Sequence, residues 1–341
     1  MPHESTNRAA VLTEPRTIVL EERPVPVPAA DEVLIRVEAV GVCGSDAHYY
    51  RHGRIGQFIV ESPLILGHET AGTVVALGAD VTALAVGDRV AVEPGVPCGE
   101  CDQCRAGRYN LCAEVVFHAT PPVDGTLQTY AAIRADYAFV LPDAVSTEHG
   151  ALVEPLAVSV WACRKARVAP GARVLVTGAG PVGLLTAQTA RAFGASSVTV
   201  TDVDPEKLRL AAELGADATI AASDLAAHDA EFDVHIECSG NVRAARDGIS
   251  RLAPAGMAVL VGMGGPEGLD IPVSWIQEKE LLITGVFRYA NCFPTAIELL
   301  ASGRVRVDEL ISGRFPLSES AAAIDTAGRA GVFKSLILPQ S

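Results

Sequence analysis

The chain lacks the features that would place it on a nucleic acid or in a membrane. Its 341 residues include 27 lysines and arginines against 41 aspartates and glutamates, a net charge of −14. Phosphate backbones and anionic lipid surfaces attract cationic proteins, not acidic ones. The longest apolar stretches, such as RVLVTGAGPVGLLTAQ, are broken by Gly, Pro and Thr well before the roughly 20 residues that a membrane helix needs. We therefore expect no nucleic-acid partner and no membrane span.

Other absences narrow the class further. The opening MPHESTNRAAVLTEP has no cationic segment before an apolar one, so we expect no secretory signal and a cytoplasmic location. There is no internal repeat or low-complexity tract, and 49% hydrophobic residues indicate a compact folded protein. At 341 residues the chain is too long for one ordinary core, so we expect two domains. Eight cysteines in such a protein favour metal ligands or buried small side chains over disulfides.

The predicted architecture changes near residue 150. Before it, β-branched runs between Gly and Pro predict strands at 32–42, 71–78, 87–94 and 129–142, and the prolines of 23–32 exclude a helix there. After a helical segment, strands at 173–178, 196–203, 217–221, 232–240, 256–263 and 279–287 alternate with helices at 180–194, 205–215 and 241–254. This alternation indicates βαβ units and a parallel sheet. A helix in FPTAIELLASG and a strand in KSLILP follow.

A glycine-rich turn lies between the first strand and helix of this alternating part. VLVTGAGPVG places Gly178, Gly180 and Gly183 where a dinucleotide-binding loop needs a tight turn, close backbone approach to a pyrophosphate and close helix–strand packing. The diphosphate would lie at the helix N-terminus. The alternative is an ordinary tight turn.

Asp202 ends the second of these strands. Its carboxylate suits the paired hydroxyls of an adenosine ribose and repels a 2′-phosphate, which predicts NAD as the cofactor in preference to NADP. Lys207 either reaches a ribose hydroxyl or is a solvated helix charge. Further cofactor contacts are expected at Pro181, Val182, Val261, Gly262, Val286, Phe287 and Arg288.

Four cysteines lie close together in CGECDQCRAGRYNLC. The spacing of Cys98, Cys101, Cys104 and Cys112 suits a closed tetrahedral site, so we expect a structural zinc ion. An iron–sulfur cluster is the alternative, but the last gap is long and a second cysteine set is missing.

Other metal-ligating side chains stand further apart in the sequence. Cys43, with Ser45 and His48, follows a predicted strand; His68 and Glu69 interrupt an apolar run after Gly67; Glu154 begins the helical segment. A buried charge is costly unless it is paired or bound to a metal, and a catalytic zinc takes about three such ligands. The spacing alone does not establish that these residues meet.

The order GVCGSDAHYY, LGHETAGTV, GDRVAVEPG, CGECDQCRAGRYNLC, EPLAV and GAGPVG closely resembles the zinc-dependent medium-chain alcohol dehydrogenases over essentially the whole chain. HYYRHGRIGQF, FHATPPVDGT and GVFRYANCFP are similar to the polyol branch, the sorbitol and xylitol dehydrogenases. The resemblance implies an α/β protein with a GroES-like β-rich catalytic domain (1–153 and 291–341, with the zinc lobe at 95–113) and a Rossmann domain with a doubly wound parallel sheet (154–290).

The resemblance also implies roles for single residues. Cys43, His68 and Glu69 would hold the catalytic zinc, with Gly67 bending the backbone so that both neighbours face the ion; alternatively, Glu69 points away as a partner of a ligand. Glu154 would be a fourth ligand or would hydrogen-bond a zinc-bound water. Ser45 and His48, or else Glu154, would relay the proton. Substrate contacts are expected from Ser45, Tyr49, Phe117, Glu154, Arg288 and Tyr289.

The implied reaction is the reversible oxidation of a secondary hydroxyl of a polyol to a ketose, with hydride passing to NAD from a zinc-bound alkoxide. Family members form dimers, and polyol enzymes usually form tetramers, so a homotetramer or homodimer is expected. Two alternatives stay open: a dehydrogenase of another secondary alcohol, such as a vicinal diol or threonine, and a non-catalytic NAD-binding sensor.

Overall fold

The computed structural model describes residues 6–264 and 268–341. Contacts divide the chain into one unit of Met1–Glu154 with Leu310–Ser341 and a second unit of Pro155–Glu309. The division after Glu154 lies within one residue of the predicted boundary between the two domains. Residues 291–309, which the sequence analysis assigned to the first domain, belong by their contacts to the second unit. Arg164 ties them there, since its guanidinium donates to the Asn291 carbonyl at 2.7 Å and to Thr295 Oγ1 at 2.8 Å.

Up to residue 151, the first unit consists mainly of strands. Its elements are β1 (Thr6–Glu14), β2 (Thr17–Pro24), β3 (Glu32–Gly41), α1 (Gly44–His52), β4 (Arg54–Ile55), β5 (Phe58–Ile59), β6 (Leu64–Ile65), β7 (Glu69–Leu77), β8 (Arg89–Val92), β9 (Gly95–Val96), α2 (Asp102–Arg105), β10 (Val116–Phe117), β11 (Tyr130–Arg134), β12 (Ala138–Val140) and α3 (Thr147–Ala151).

The second unit alternates helices and strands, as predicted. Its elements are α4 (Val153–Lys165), which begins just before the division, β13 (Arg173–Thr177), α5 (Pro181–Ala192), β14 (Ser197–Asp202), α6 (Pro205–Glu213), β15 (Ala218–Ala221), β16 (Phe232–Glu237), α7 (Val242–Ser250), β17 (Leu252–Leu260), α8 (Val273–Lys279), β18 (Leu282–Gly285) and α9 (Phe293–Ala301). The strands form one parallel sheet in the order β15-β14-β13-β16-β17-β18, the order of a doubly wound dinucleotide-binding fold.

The chain then returns to the first unit through β19 (Ile311–Pro316), α10 (Ser320–Asp325) and β20 (Lys334–Leu338). These strands complete a sheet of order β12-β8-β7-β3-β20-β19, in which β11 also pairs with β3. Strand β3 is therefore central, with β7 on one side and β20 on the other. A smaller sheet has the order β2-β1-β6.

Two predicted elements need correction. The predicted strand 129–142 is two strands, β11 and β12, separated by a 3₁₀ turn at Ala135–Tyr137. The predicted helix 241–254 ends at Ser250, because residues from Leu252 onward pair with β16 in the sheet. None of the helices in the part of the chain that the structure describes is long and apolar enough to cross a bilayer.

Candidate active site

The backbone turns at Gly67 between two strands of the first unit. Gly67 has a φ of +88°, and a Cβ there would lie 2.9 Å from both Val40 and Leu127. Only glycine combines that conformation with that close packing. The turn ends the buried run of β6 and sets His68 and Glu69 at the start of β7, as the sequence predicts.

Cys43 reaches the same place from a different strand. It follows β3 and is the N-cap residue of α1. The ligand atoms of Cys43, His68 and Glu69 all lie within 4.8 Å of one another. A thiolate, an imidazole and a carboxylate are ligands that zinc accepts, and three of them are typical of a catalytic site. The donor set fits the implied ion.

Asp46 supports this cluster and was missed by the sequence analysis. Its carboxylate accepts hydrogen bonds from the backbone N–H of Cys43 at 2.9 Å and of Gly67 at 3.1 Å, and lies 3.7 Å from His68 Nδ1. One buried aspartate therefore joins the two segments that carry the three candidate ligands. The signal in the sequence was an acidic residue three positions after Cys43, in the first turn of a helix.

Burial and the neighbouring charges act in opposite directions on the pKa of His68. Burial would lower the pKa of His68, but the facing charges of Asp46 and Cys43 outweigh burial and raise the pKa well above the ordinary value. Without a metal, the imidazole therefore holds a proton that a metal ion must displace, so metal uptake is favoured at higher pH. The Phe117 ring packs beside His68, with centroids 5.9 Å apart.

Glu69 has a buried cationic partner. Lys334 Nζ lies 2.7 Å from each oxygen of the carboxylate and donates to the Val42 carbonyl at 3.0 Å. Burial opposes the charge on Lys334, but the carboxylate of Glu69 and the Cys43 sulfur raise its pKa above the ordinary value. No local pattern in the sequence points to this lysine, because it stands 265 residues from Glu69.

Two further acids lie in the same electrostatic environment. Glu154 is buried and lies outside the group formed by Cys43, His68 and Glu69. Glu93 accepts a hydrogen bond from Tyr109 Oη at 2.7 Å, and burial together with the charge of Glu154 raises the pKa of Glu93 to about 7. Tyr109 belongs to the cysteine-rich lobe, so this hydrogen bond joins Glu93 to that lobe. No role for Glu93 was expected from the sequence.

The predicted proton-relay and substrate residues are distributed over both units. Ser45 is half-buried, His48 is exposed and Tyr49 is buried, all on α1. The His48 and His52 rings lie 5.9 Å apart. In the second unit, Tyr289 is buried, and the Arg288 guanidinium lies 4.9 Å from the centroid of the exposed Phe287 ring.

The four cysteines of the predicted lobe form a compact cluster. Sulfur–sulfur distances are 3.5 Å for Cys98–Cys112, 3.5 Å for Cys101–Cys104 and 3.9 Å for Cys98–Cys104. Tetrahedral zinc with bonds of about 2.3 Å requires sulfurs about 3.8 Å apart. Burial and the neighbouring sulfurs raise the pKa of Cys104 to about 12, whereas hydrogen bonds from the backbone N–H groups of Glu100 and Cys101 lower the pKa of Cys98 to about 7. The arrangement fits a structural zinc ion.

The glycine loop of the second unit has the predicted geometry. Gly178 has a φ of +91°, and a Cβ at Gly183 would lie 1.8 Å from the Gly178 carbonyl oxygen. A Cβ at Gly180 would meet no heavy atom within 4 Å, so open space lies in front of this residue, which is the N-cap of α5. Pro181 and Val182 begin the helix. Open space at a helix N-terminus, where backbone N–H groups point outward, fits a pyrophosphate.

The other cofactor candidates follow the carboxyl ends of the strands. Asp202 ends β14, and its two oxygens accept hydrogen bonds from Ala179 N at 2.7 Å and Asp204 N at 2.9 Å. Lys207 lies in α6. Val261 and Gly262 follow β17, and both donate to the Glu237 carbonyl, at 2.8 and 3.0 Å. Val286 and Phe287 follow β18. Glu237, whose carboxylate also accepts from Ser239 N and Gly240 N, was missed by the sequence analysis.

Comparison with known proteins identifies the family. The alcohol dehydrogenase GroES-like domain matches residues 29–143, and the zinc-binding dehydrogenase domain matches residues 181–302. The chain is 44% identical to a sorbitol dehydrogenase from Gallus gallus over 95% of this chain and 94% of that protein. It belongs to the zinc-binding medium-chain dehydrogenases.

Solved structures of other members agree with this assignment. An Escherichia coli oxidoreductase/dehydrogenase of unknown specificity superposes with a TM-score of 0.93 at 36% identity, covering 98% of this chain and 99% of that one. A zinc-binding dehydrogenase from Sinorhizobium meliloti bound to NADP gives a TM-score of 0.92 at 32% identity, covering 98% and 100%. The predicted family, the GroES-like and Rossmann fold, and zinc with NAD(H) as cofactors are confirmed for this dehydrogenase.

Proposed function

We propose that this dehydrogenase catalyses the reversible oxidation of a secondary hydroxyl of a polyol to a ketose, with NAD as the hydride acceptor. The observation that carries the proposal is the convergence of the Cys43, His68 and Glu69 ligand atoms within 4.8 Å. The polyol is supported by the chicken relative, which is named a sorbitol dehydrogenase and is 44% identical over nearly the full length.

The chain's own residues have defined tasks in this proposal. When bound, zinc supplies positive charge that acidifies a hydroxyl group, and NAD accepts the hydride. Cys43, His68 and Glu69 hold the ion, and Asp46 orients His68. Glu154 either contributes a further oxygen to the ion or holds a water molecule beside it.

The substrate proton needs a path to solvent. Ser45 is half-buried and His48 is exposed, three residues later on the same helix, so they offer a route from the site outward. Glu154 is the alternative carrier. Replacing His48 with Gln lowers the rate in unbuffered solution, with rescue by added imidazole, if the first route operates. If Glu154 carries the proton, this replacement leaves the rate unchanged.

Substrate selection is assigned to polar and aromatic side chains: Ser45, Tyr49, Phe117, Glu154, Arg288 and Tyr289. A site that hydrogen-bonds several hydroxyls rejects analogues that lack them, because its own polar groups are then left unpaired. Sorbitol and xylitol are therefore expected to be better substrates than simple alcohols.

The decisive experiment follows NAD reduction with sorbitol, xylitol, 2,3-butanediol, threonine and ethanol, before and after zinc removal by a chelator. Polyols should give the highest kcat/KM, and the activity should return with added zinc. Preference for butanediol or threonine would replace the polyol with another secondary alcohol. NAD binding without turnover of any of these alcohols would contradict an enzymatic role.

We further propose a cytoplasmic homotetramer or homodimer. The family resemblance supports the assembly, and the eight cysteines, none of which forms a disulfide among the described residues, suit a reducing compartment. Light scattering of the purified dehydrogenase measures the number of subunits, and a monomer would contradict this proposal.

A further inference from the structure

The buried pair of Lys334 and Glu69 is built across the central strand of the first unit's larger sheet. Gly41 on β3 pairs with Glu69 on β7 on one side and with Leu336 on β20 on the other. Lys334 lies two residues before Leu336 and therefore on the same face. The ammonium and the carboxylate thus approach each other over Gly41.

Gly41 provides the space for this contact. A Cβ at Gly41 would lie 2.1 Å from Glu69 Oε2. Any larger residue would occupy the place of the carboxylate, so the absent side chain lets Glu69 turn toward Lys334. The two charged side chains are only 4% and 1% exposed, so water does not screen their interaction.

The same carboxylate also belongs to the candidate metal cluster. Both of its oxygens accept hydrogen bonds from Lys334 at 2.7 Å each. Oxygen lone pairs that accept these hydrogen bonds are less available to a metal ion. In addition, the ammonium places a positive charge beside the position of a divalent cation. Both effects oppose tight binding of the ion.

We propose that Lys334 is a positioning residue of the metal centre, whose ammonium group shares the Glu69 carboxylate with the zinc ion and so weakens Glu69 as a ligand. The inference rests on the proposed function, since it takes Cys43, His68 and Glu69 as the catalytic zinc site. A zinc ion that receives less negative charge from its ligands acidifies a hydroxyl group more strongly. Lys334 thus weakens the binding of the zinc ion and increases its ability to acidify a hydroxyl group.

The experiment measures the rate at which zinc leaves the full-length protein to a chromophoric chelator. Replacing Lys334 with Met or Gln should slow release from the catalytic site by about tenfold or more, because Glu69 is freed and a nearby positive charge is lost. Lys334→Arg keeps the charge and should release zinc at nearly the wild-type rate. Lys334→Gln retains a donor to the buried carboxylate, so it provides the measurement if Lys334→Met does not fold.

The same Lys334 replacements, made in a Glu69→Gln protein, test whether Lys334 affects zinc release through Glu69. In Glu69→Gln protein, removing the charge of Lys334 should slow zinc release clearly less than in the wild-type background, by about threefold at most, because the shared carboxylate is absent and only the loss of a nearby positive charge remains. Lys279→Gln is the matched control: Lys279 also donates to a carboxylate and a carbonyl, Glu231 at 3.4 Å and Leu252 at 2.6 Å, but in the second unit. It should leave release unchanged.

Two results would overturn the proposal. Unchanged or faster release from Lys334→Gln would mean that the lysine only supports the fold, and equal slowing in the wild-type and Glu69→Gln backgrounds would mean a general charge effect. Failure of the proposed function would give a result different from these two. In that case His68→Ala protein would contain as much zinc as the wild type and would show the same release phases.

Discussion

Asp46 and His68 form a buried contact, in which a carboxylate oxygen of Asp46 lies 3.7 Å from Nδ1 of the imidazole. Asp46 also accepts hydrogen bonds from the backbone of Cys43 and of Gly67. A single side chain therefore orients one candidate zinc ligand and anchors the backbone beside two. Partners of this kind tune metal affinity without touching the metal.

Replacing Asp46 with Asn should weaken zinc binding at the catalytic site by about 10–100-fold, since the amide keeps the shape but loses the charge facing His68. Metal-buffer titration measures the affinity. The exposed Asp136, in the same unit, provides the control Asp136→Asn, which should bind zinc like the wild type. Equal affinity in Asp46→Asn would show that the contact has no role in metal binding.

Loss of one cysteine from the lobe should release one zinc ion per chain. Cys101→Ser removes a sulfur that lies 3.5 Å from that of Cys104, so the remaining thiols no longer enclose the ion. The melting temperature of the first unit should fall by about 5 °C or more, because metal binding contributes to folding. Elemental analysis and calorimetry provide the measurements. Cys238→Ala should keep the full zinc content, and a Cys101→Ser protein with unchanged zinc would refute the four-sulfur site.

Asp202 should determine the preference for NAD. Asp202→Asn removes the charge that repels a 2′-phosphate, so the ratio of kcat/KM for NAD to that for NADP should fall by about tenfold or more. The neighbouring Asp204 caps α6 through Glu206 N and gives the control Asp204→Asn, which should keep the wild-type ratio. An unchanged ratio in Asp202→Asn would assign cofactor choice to other residues.

Two glycines of the same loop should respond differently to alanine. Gly183→Ala places a Cβ against the Gly178 carbonyl, so the free energy of unfolding of the second unit should fall by about 1–3 kcal/mol. At Gly180 the Cβ meets no heavy atom within 4 Å, so Gly180→Ala should fold normally but bind NAD more weakly. Chemical denaturation and NAD titration separate the two effects. Identical behaviour of the two variants would contradict the assigned roles.

His235 should make the second unit sensitive to acid. It is fully buried on β16 with Nε2 3.0 Å from Thr177 Oγ1, and burial lowers its pKa to about 3. The unfolded chain takes up a proton below about pH 6.5, so this stabilisation is present above that pH and is lost as the pH falls toward 3. At pH 5 the loss is about 2 kcal/mol.

The variant His235→Gln should lack this component of the acid dependence. Denaturant titrations at pH 7 and pH 5 give the free energies of unfolding, and the exposed His52 provides the control His52→Gln. A wild-type protein whose stability changes between these pH values no more than that of His235→Gln would exclude the effect.

The sequence predicted most of the second unit because its signals are local. The glycines of VLVTGAGPVG and the alternation of apolar strands and helices act over a few residues, and the parallel sheet follows from them. The predictions failed where tertiary contacts override local pattern. Residues from Leu252 onward leave the predicted helix to pair with β16, and residues 291–309 contact the second unit through Arg164.

For the candidate site, the sequence by itself determined the chemical types of the ligands and the turn at Gly67, since residue type and a left-handed glycine are local properties. Only the tertiary structure decided that Cys43, His68 and Glu69 converge, and that Asp46 and Lys334 complete their surroundings. Strand pairing brings β20 beside β3 and so places Lys334 against Glu69. Spacing along the chain carries no information about such a contact, because the order of strands in a sheet depends on how the whole unit packs.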